Sequence, residues 1–189
     1  MNSIKKGGVV IIDFGSQYTK LIARRVREKF VFSEIIPPES KMDLIMQNAP
    51  AAIILSGGPS SVNDNKSPSF DEELLNANIP ILGICYGLQL LIKEAGGEIT
   101  SESNGEYGYA TINIKNSETL FAGLKTKSKV WMSHGDQVMK VPNGWDLLAC
   151  SSNGIIAAIS NKDQTRFATQ FHPEVNHTQE GSLIISNFL

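Results

Sequence analysis

The chain has almost no cysteine. Two residues in 189, Cys85 and Cys150, cannot build a disulfide framework, so a packed core in a reducing, cytoplasmic setting is expected instead. Charge of either sign is also scarce in excess. Seventeen basic against nineteen acidic residues leave a formal net charge of −2, which offers no electrostatic basis for holding a polyanion or an anionic membrane surface. Apolar runs of membrane-spanning length are missing too. The run near the start, VVIIDFG, stops at Asp13 and reads as a first strand rather than a signal peptide. These absences exclude nucleic acid and membrane as expected partners. No repeat, low-complexity tract or linker divides the sequence, and 1–189 is read as a single domain.

What is present is a regular alternation. The apolar runs VVII (9–12), AAIIL (51–55) and IPILGI (79–84) lack polar interruption, as strands buried on both faces of a parallel sheet do. Between them SQYTKLIARRVREKF has helical period: Tyr18, Leu21, Ile22 and Val26 share one face, and Ser16 is placed to cap it. KMDLIMQN and FDEELLNAN repeat that period more briefly. The first half therefore reads β-α-β-α-β-α-β-α, an α/β fold with an open, mostly parallel sheet flanked by helices. After GLQLLIKEAGG, where Gly96 or Gly97 can stop a helix, come YGYATINI, KVWMS, WDLLACS, IIAAIS and RFATQF, which predict hairpins added to that sheet. A last helix is expected from His177 onward, with Leu183, Ile184 and Phe188 on its inner side.

One of the two cysteines stands where a strand must turn sharply into a helix. Gly83-Ile84-Cys85-Tyr86-Gly87 is a G-x-C-x-G nucleophile elbow, in which flanking glycines allow a strained turn and the helix N-terminus favours a thiolate. A small buried core residue is the commoner fate of a free cysteine, and Cys150 in WDLLACS is read that way. Of the three histidines, His172 in QFHPEV follows a strand, and Pro173 disfavours helix there. Extended geometry would put His172 and Glu174 on one side, giving Cys85 a base with an orienting carboxylate. Oxyanion donors are offered by the Tyr86 amide and by the bare turn Gly57-Gly58-Pro59 after the 51–55 strand. Ser56–Ser61 superficially resembles an ATP-pyrophosphatase loop but lacks its aspartate. No phosphate-binding glycine motif and no paired metal-ligand spacing occurs, so no metal and no cofactor are expected.

With these residues in hand the chain resembles the class I glutamine amidotransferases. It matches their GxCxGxQ elbow (Gly83 to Gln89), SGGP turn (Ser56 to Pro59) and FHPE motif (Phe171 to Glu174) in family order across nearly the whole length. The resemblance implies the family's flavodoxin-like fold and hydrolysis of L-glutamine to glutamate and ammonia. Cys85, His172 and Glu174 would then be the triad, the Gly58 and Tyr86 amides the oxyanion hole, and Gly57, Gly58, Gln89, Gly135 and Asp136 the glutamine site. His134 and His177 are expected to be structural or interfacial. IIDFGSQYTKLIARRVRE, WMSHGDQV and TQFHPEVNHTQEG are similar to one subfamily, which passes ammonia to an ATP pyrophosphatase domain or subunit that modifies a purine nucleotide. ATP and magnesium would bind that partner, and neither it nor a dimerisation domain is expected within these residues. NGEYG (104–108) departs from the subfamily in having Gly105 where an arginine is usual, a difference expected to touch a surface or interdomain contact. A glutaminase of another biosynthetic complex and a non-catalytic regulatory module are the alternatives.

Overall fold

The computed structural model describes residues 7–101 and 105–189. The first half alternates as β1 Val9–Ile12, α1 Thr19–Arg27, β2 Ser33–Ile36, α2 Met42–Met46, β3 Ala52–Leu55, a 3-10 turn Glu72–Asn76, β4 Ile81–Ile84 and α3 Tyr86–Glu94. The second half is β5 Glu98–Thr100, β6 Glu106–Ile114, a 3-10 turn Thr119–Phe121, β7 Lys127–His134, β8 Gln137–Lys140, β9 Trp145–Ser151, β10 Ile156–Asn161, β11 Arg166–Thr169 and α4 Gly181–Phe188. Among the described residues nine strands form one sheet in the order β2-β1-β3-β4-β11-β10-β9-β6-β7, and β5 pairs with β8 apart from it. β2, β1, β3, β4 and β11 run parallel, while β10, β9, β6 and β7 are antiparallel neighbours. This is the expected mixed α/β sheet with hairpins appended.

The uninterrupted apolar strands are buried from both sides. Side chains alternate across a strand, so Val9, Ile11, Ile54, Leu82 and Ile84 join one apolar cluster with α1 and α4. Val10, Ile12, Ile53, Leu55 and Ile81 join the other, beneath α3. Each fully buried Leu or Ile contributes about 1.5–3 kcal/mol relative to exposure. Buried Leu88, Leu91 and Ile92 therefore hold α3 down behind the elbow.

Several expectations shift at their edges. α1 begins at Thr19, and Ser16 accepts from the Tyr18 amide in a turn before it rather than capping the helix. FDEELLNAN makes only a 3-10 turn, with Asp71 accepting from Glu73 N–H, because a single buried leucine, Leu74, anchors so short a segment. α4 starts four residues beyond His177. Leu183 is partly exposed while Ile184, Ile185 and Phe188 are buried. No helix among the described residues is long and apolar enough to cross a membrane.

Candidate active site

Parallel strands carry their C-terminal ends to one side of a sheet, and a reversal of strand order opens a crevice there. Here β1 lies between β2 and β3, and the turns after β1, β3 and β4 meet at a cavity of about 580 Å³. Gly15 to Tyr18, Gly58 to Ser61, Cys85, Gln89, Tyr107, Ser133 to Asp136 and His172 line it.

Cys85 joins β4 to α3 with φ 52° and ψ −100°, a left-handed conformation unfavourable for a side chain with a Cβ. Its surroundings enforce the turn. The Cys85 N–H donates to the Thr169 carbonyl at 2.7 Å, and the Gly87 N–H to the Ser56 carbonyl at 3.1 Å, which ties the elbow to both neighbouring strand ends. A Cβ at Gly83 would stand 2.6 Å from the Gly87 carbonyl, and one at Gly87 would stand 2.4 Å from the Leu55 carbonyl. Neither position tolerates a larger residue. Cys85 Sγ lies 3.6 Å from the Ser133 carbonyl oxygen.

His172 and Glu174 reach each other from a turn, not a strand, since β11 ends at Thr169. The turn is pinned on three sides. The His172 N–H donates to the Trp131 carbonyl, Thr178 Oγ1 donates to the His172 carbonyl, and Arg25 Nε donates to the Glu174 carbonyl at 2.9 Å. The Arg25 guanidinium also binds the Asn176 side-chain oxygen. Glu174 is fully buried with Oε1 2.8 Å from His172 Nδ1, which leaves Nε2 to face Cys85. Burial opposes charge on His172, but the Glu174 carboxylate and the Cys85 sulfur outweigh it and raise the pKa to about 10.

Gly58 forms the wall opposite, and a Cβ there would meet the Phe14 carbonyl at 2.7 Å. Ser56 shapes this turn: its Oγ accepts from the Phe14 N–H and donates to the Gly57 carbonyl. Gly57 does not line the cavity. It is wedged between His172 and Cys85, where a Cβ would lie 3.1 Å from His172 Cε1 and 3.7 Å from Cys85 Cβ. Among the described residues the Gly58 and Tyr86 amides donate to no other protein atom, as an oxyanion site requires. The Tyr86 side chain points away, packs on Phe14 and donates to the Pro68 carbonyl.

Gln89, Gly135 and Asp136 meet on the remaining side. Gln89 Nε2 donates to the Asp136 carbonyl at 3.0 Å, and Ser61 Oγ donates to the Asp136 carboxylate. His134 Nδ1 also bonds the Asp136 carbonyl, at 2.9 Å, and burial lowers the His134 pKa. Its ring thus fastens the loop. His177 is exposed and stacks beside Trp131 and Tyr109. A Cβ at Gly105 would meet the His134 carbonyl at 2.0 Å, so the departure in NGEYG bears on the cavity-lining loop rather than only on an outer contact. Asn104 lies outside the described residues. Cys150 sits on β9, away from the cavity.

Sequence reasoning missed Gly15 to Tyr18, Ser61, Tyr107, Ser133, Gln170 and Arg25. The rule that α/β sites form at strand C-terminal ends could have found the turn after β1. The tertiary contacts of Arg25 and Gln170 left no local signal. No cluster of three or more metal-ligating side chains occurs among the described residues.

An elbow cysteine beside a buried His–Glu pair, on this sheet order, is the architecture of an amidotransferase domain. The chain belongs to the glutamine amidotransferase class-I family, whose sequence profile matches residues 10–189. Within it, the GMP synthase (glutamine-hydrolyzing) of Brachyspira hyodysenteriae is 49% identical over 188 residues, covering 100% of this chain and 36% of that protein. The corresponding protein of Thermosipho melanesiensis is 49% identical over 181 residues, 96% of this chain and 35% of its own length. The chain thus spans about a third of the curated relatives it matches. Among solved structures, a candidate GMP synthase subunit from Thermoplasma acidophilum superposes with TM-score 0.84 at 30% identity, covering 97% of this chain and 92% of that one. A Thermotoga maritima glutamine amidotransferase shares the fold with TM-score 0.72 at 22% identity, over 90% of this chain and 77% of that one.

Proposed function

We propose that residues 1–189 form a single glutaminase domain that hydrolyses L-glutamine and delivers ammonia to the synthetase of a GMP synthase. The observation that carries this reading is the strained Cys85 elbow facing the nitrogen that His172 has left after bonding Glu174. A protonated His172 supports a thiolate on Cys85. The sulfur attacks the side-chain carboxamide carbon of glutamine, and the Gly58 and Tyr86 N–H groups receive the oxyanion. His172 gives its proton to the departing nitrogen, ammonia leaves, and a glutamyl thioester remains. His172 then takes a proton from water as it attacks, and glutamate is released with the proton returned to the Cys85–His172 pair. Glu174 holds the ring in the tautomer these transfers need. Gln89, Gly135 and Asp136 form the wall against the amino-acid end of the substrate, with Gly58 opposite and Gly57 packed behind it between His172 and Cys85.

Ammonia would go to an ATP pyrophosphatase domain or subunit converting XMP to GMP, where ATP and magnesium bind. The names of the relatives and the share of their length beyond this chain support that partner. Neither a cofactor nor a metal is assigned to this domain, and a cytoplasmic setting suits two unpaired cysteines. Glutaminase activity without the partner is expected to be weak. In a reconstituted synthetase, Cys85→Ala should abolish glutamine-dependent GMP formation and spare ammonia-dependent formation. Equal loss of both would show that Cys85 does not serve glutamine hydrolysis.

A further inference from the structure

The register between β11 and β4 places another group on the nucleophile. Thr169 pairs with Ile84, and one residue on, Gln170 and Cys85 stand side by side at the ends of adjacent parallel strands. Gln170 is fully buried and its backbone N–H bonds the Ala157 carbonyl at 2.9 Å. Its Nε2 lies 3.8 Å from Cys85 Sγ, within reach of a hydrogen bond to sulfur. Its Oε1 is buried with no partner among the described residues. A buried amide that leaves its oxygen unpaired is a poor structural choice, and a chemical role for its other end is one reason to keep it.

The other neighbours of the sulfur show what that role is. The Ser133 carbonyl at 3.6 Å accepts from a thiol but opposes a thiolate. His172 meets the sulfur through Nε2 from another side and carries the proton that the reaction moves. Resting on the assignment of Cys85 as nucleophile, we infer that Gln170 is a catalytic residue: a fixed, non-titrating donor to the sulfur anion. When the Sγ–H bond breaks, the proton passes to His172 Nε2 and the electron pair stays on sulfur, facing Gln170 Nε2–H. The same donor receives the sulfur again when the thioester is hydrolysed. The side-chain amide thereby offsets the Ser133 carbonyl in every state where sulfur is charged.

The test is the pH profile of Cys85 alkylation by iodoacetamide in the purified chain, followed by mass spectrometry, for the wild type, Gln170→Met and Gln170→Glu. The titratable groups around the sulfur are His172, Glu174 behind it, His134 at the end of β7, and Tyr18, Tyr107 and Asp136 on the cavity wall, and neither substitution replaces any of them. Loss of the donor should move the midpoint to higher pH by about one unit, so that alkylation on the acid side of both midpoints slows about tenfold while the alkaline plateau is unchanged. Gln170→Glu, the same shape with a carboxylate, should move it further. A merely structural role would lower the folded fraction without moving the midpoint of the folded molecules. If the methionine variant does not fold, the glutamate variant decides. An unmoved midpoint in a folded variant overturns the inference, whereas failure of wild-type Cys85 to react selectively would instead overturn the nucleophile assignment beneath it.

Discussion

Two buried His–Glu pairs stand within the same fold and behave oppositely. His172 and Glu174 are two residues apart in a turn, with 2.8 Å between Nδ1 and Oε1. His134 and Glu106 face each other across β7 and β6, with 3.9 Å between Nε2 and Oε2. All four side chains are buried, yet the His172 pKa is raised and the His134 pKa is lowered. The difference lies in how each ring nitrogen is spent. His172 gives Nδ1 to a carboxylate and keeps Nε2 for sulfur. His134 gives Nδ1 to the Asp136 carbonyl, and its Nε2 makes no hydrogen bond among the described residues, so desolvation dominates. Glu106 Oε1 meanwhile accepts from Ser151 and Asn153 rather than from the ring. Proximity of a histidine to a carboxylate therefore does not make a base. A direct hydrogen bond from the carboxylate to one nitrogen raises the pKa, and a free second nitrogen gives the proton somewhere to go.

The comparison breaks most easily at the histidines. His172→Ala should slow glutamine hydrolysis in the reconstituted enzyme by about 10²–10⁴-fold, the usual worth of a general base. His134→Gln should act mainly on the KM for glutamine, and an equal fall in kcat would erase the distinction. At the carboxylates, Glu174→Gln should cost on the order of 10²–10⁴ in kcat through the wrong tautomer. Glu106→Gln should leave kcat nearly unchanged.

Stability against pH separates the pairs by sign. His172 binds its proton more tightly folded than unfolded, so its contribution is full below about pH 6.5 and is lost as pH rises toward about 10. His134 binds more weakly folded, so its contribution is present above about pH 6.5 and is lost as pH falls below that value. Thermal melting should show His172→Gln flattening the alkaline slope and His134→Gln the acid slope. The same slope affected by both would contradict the assignments. An effect smaller than at His172 or Glu174 is expected at Arg25, which steadies the 172–176 turn through the Glu174 carbonyl and Asn176. Arg25→Ala should lower kcat about fivefold, in the range of one ordinary hydrogen bond, and leave the His134 loop undisturbed.

The elbow, the SGGP turn and the FHPE turn were legible in the sequence because each depends on residues a few positions apart. Gly83 excludes a side chain by contact with Gly87 inside the elbow, Gly87 does so by contact with Leu55 on β3, and His172 and Glu174 meet within one turn. Their expected extended geometry was wrong while the pairing was right, because both conformations bring residues i and i+2 close. The strands 9–12, 51–55 and 79–84 were visible from their uninterrupted apolar character. β2 carries a single fully buried residue, Ser33, and β5 and β8 are short and partly exposed, so hydrophobic pattern gave little sign of them. Gln170 reaches Cys85 across 85 residues and Arg25 reaches Glu174 across 149, and contacts of that range appear only once strand order is known.

The central claim, that Cys85 is the nucleophile and His172 its base, is tested most directly by trapping with the glutamine analogue 6-diazo-5-oxo-L-norleucine, followed by peptide mass spectrometry. One adduct per chain is predicted on Cys85, slowed by added glutamine, much slower in His172→Ala and little changed in His134→Gln. Labelling at Cys150, or labelling of Cys85 that is indifferent to glutamine and to His172, would contradict it.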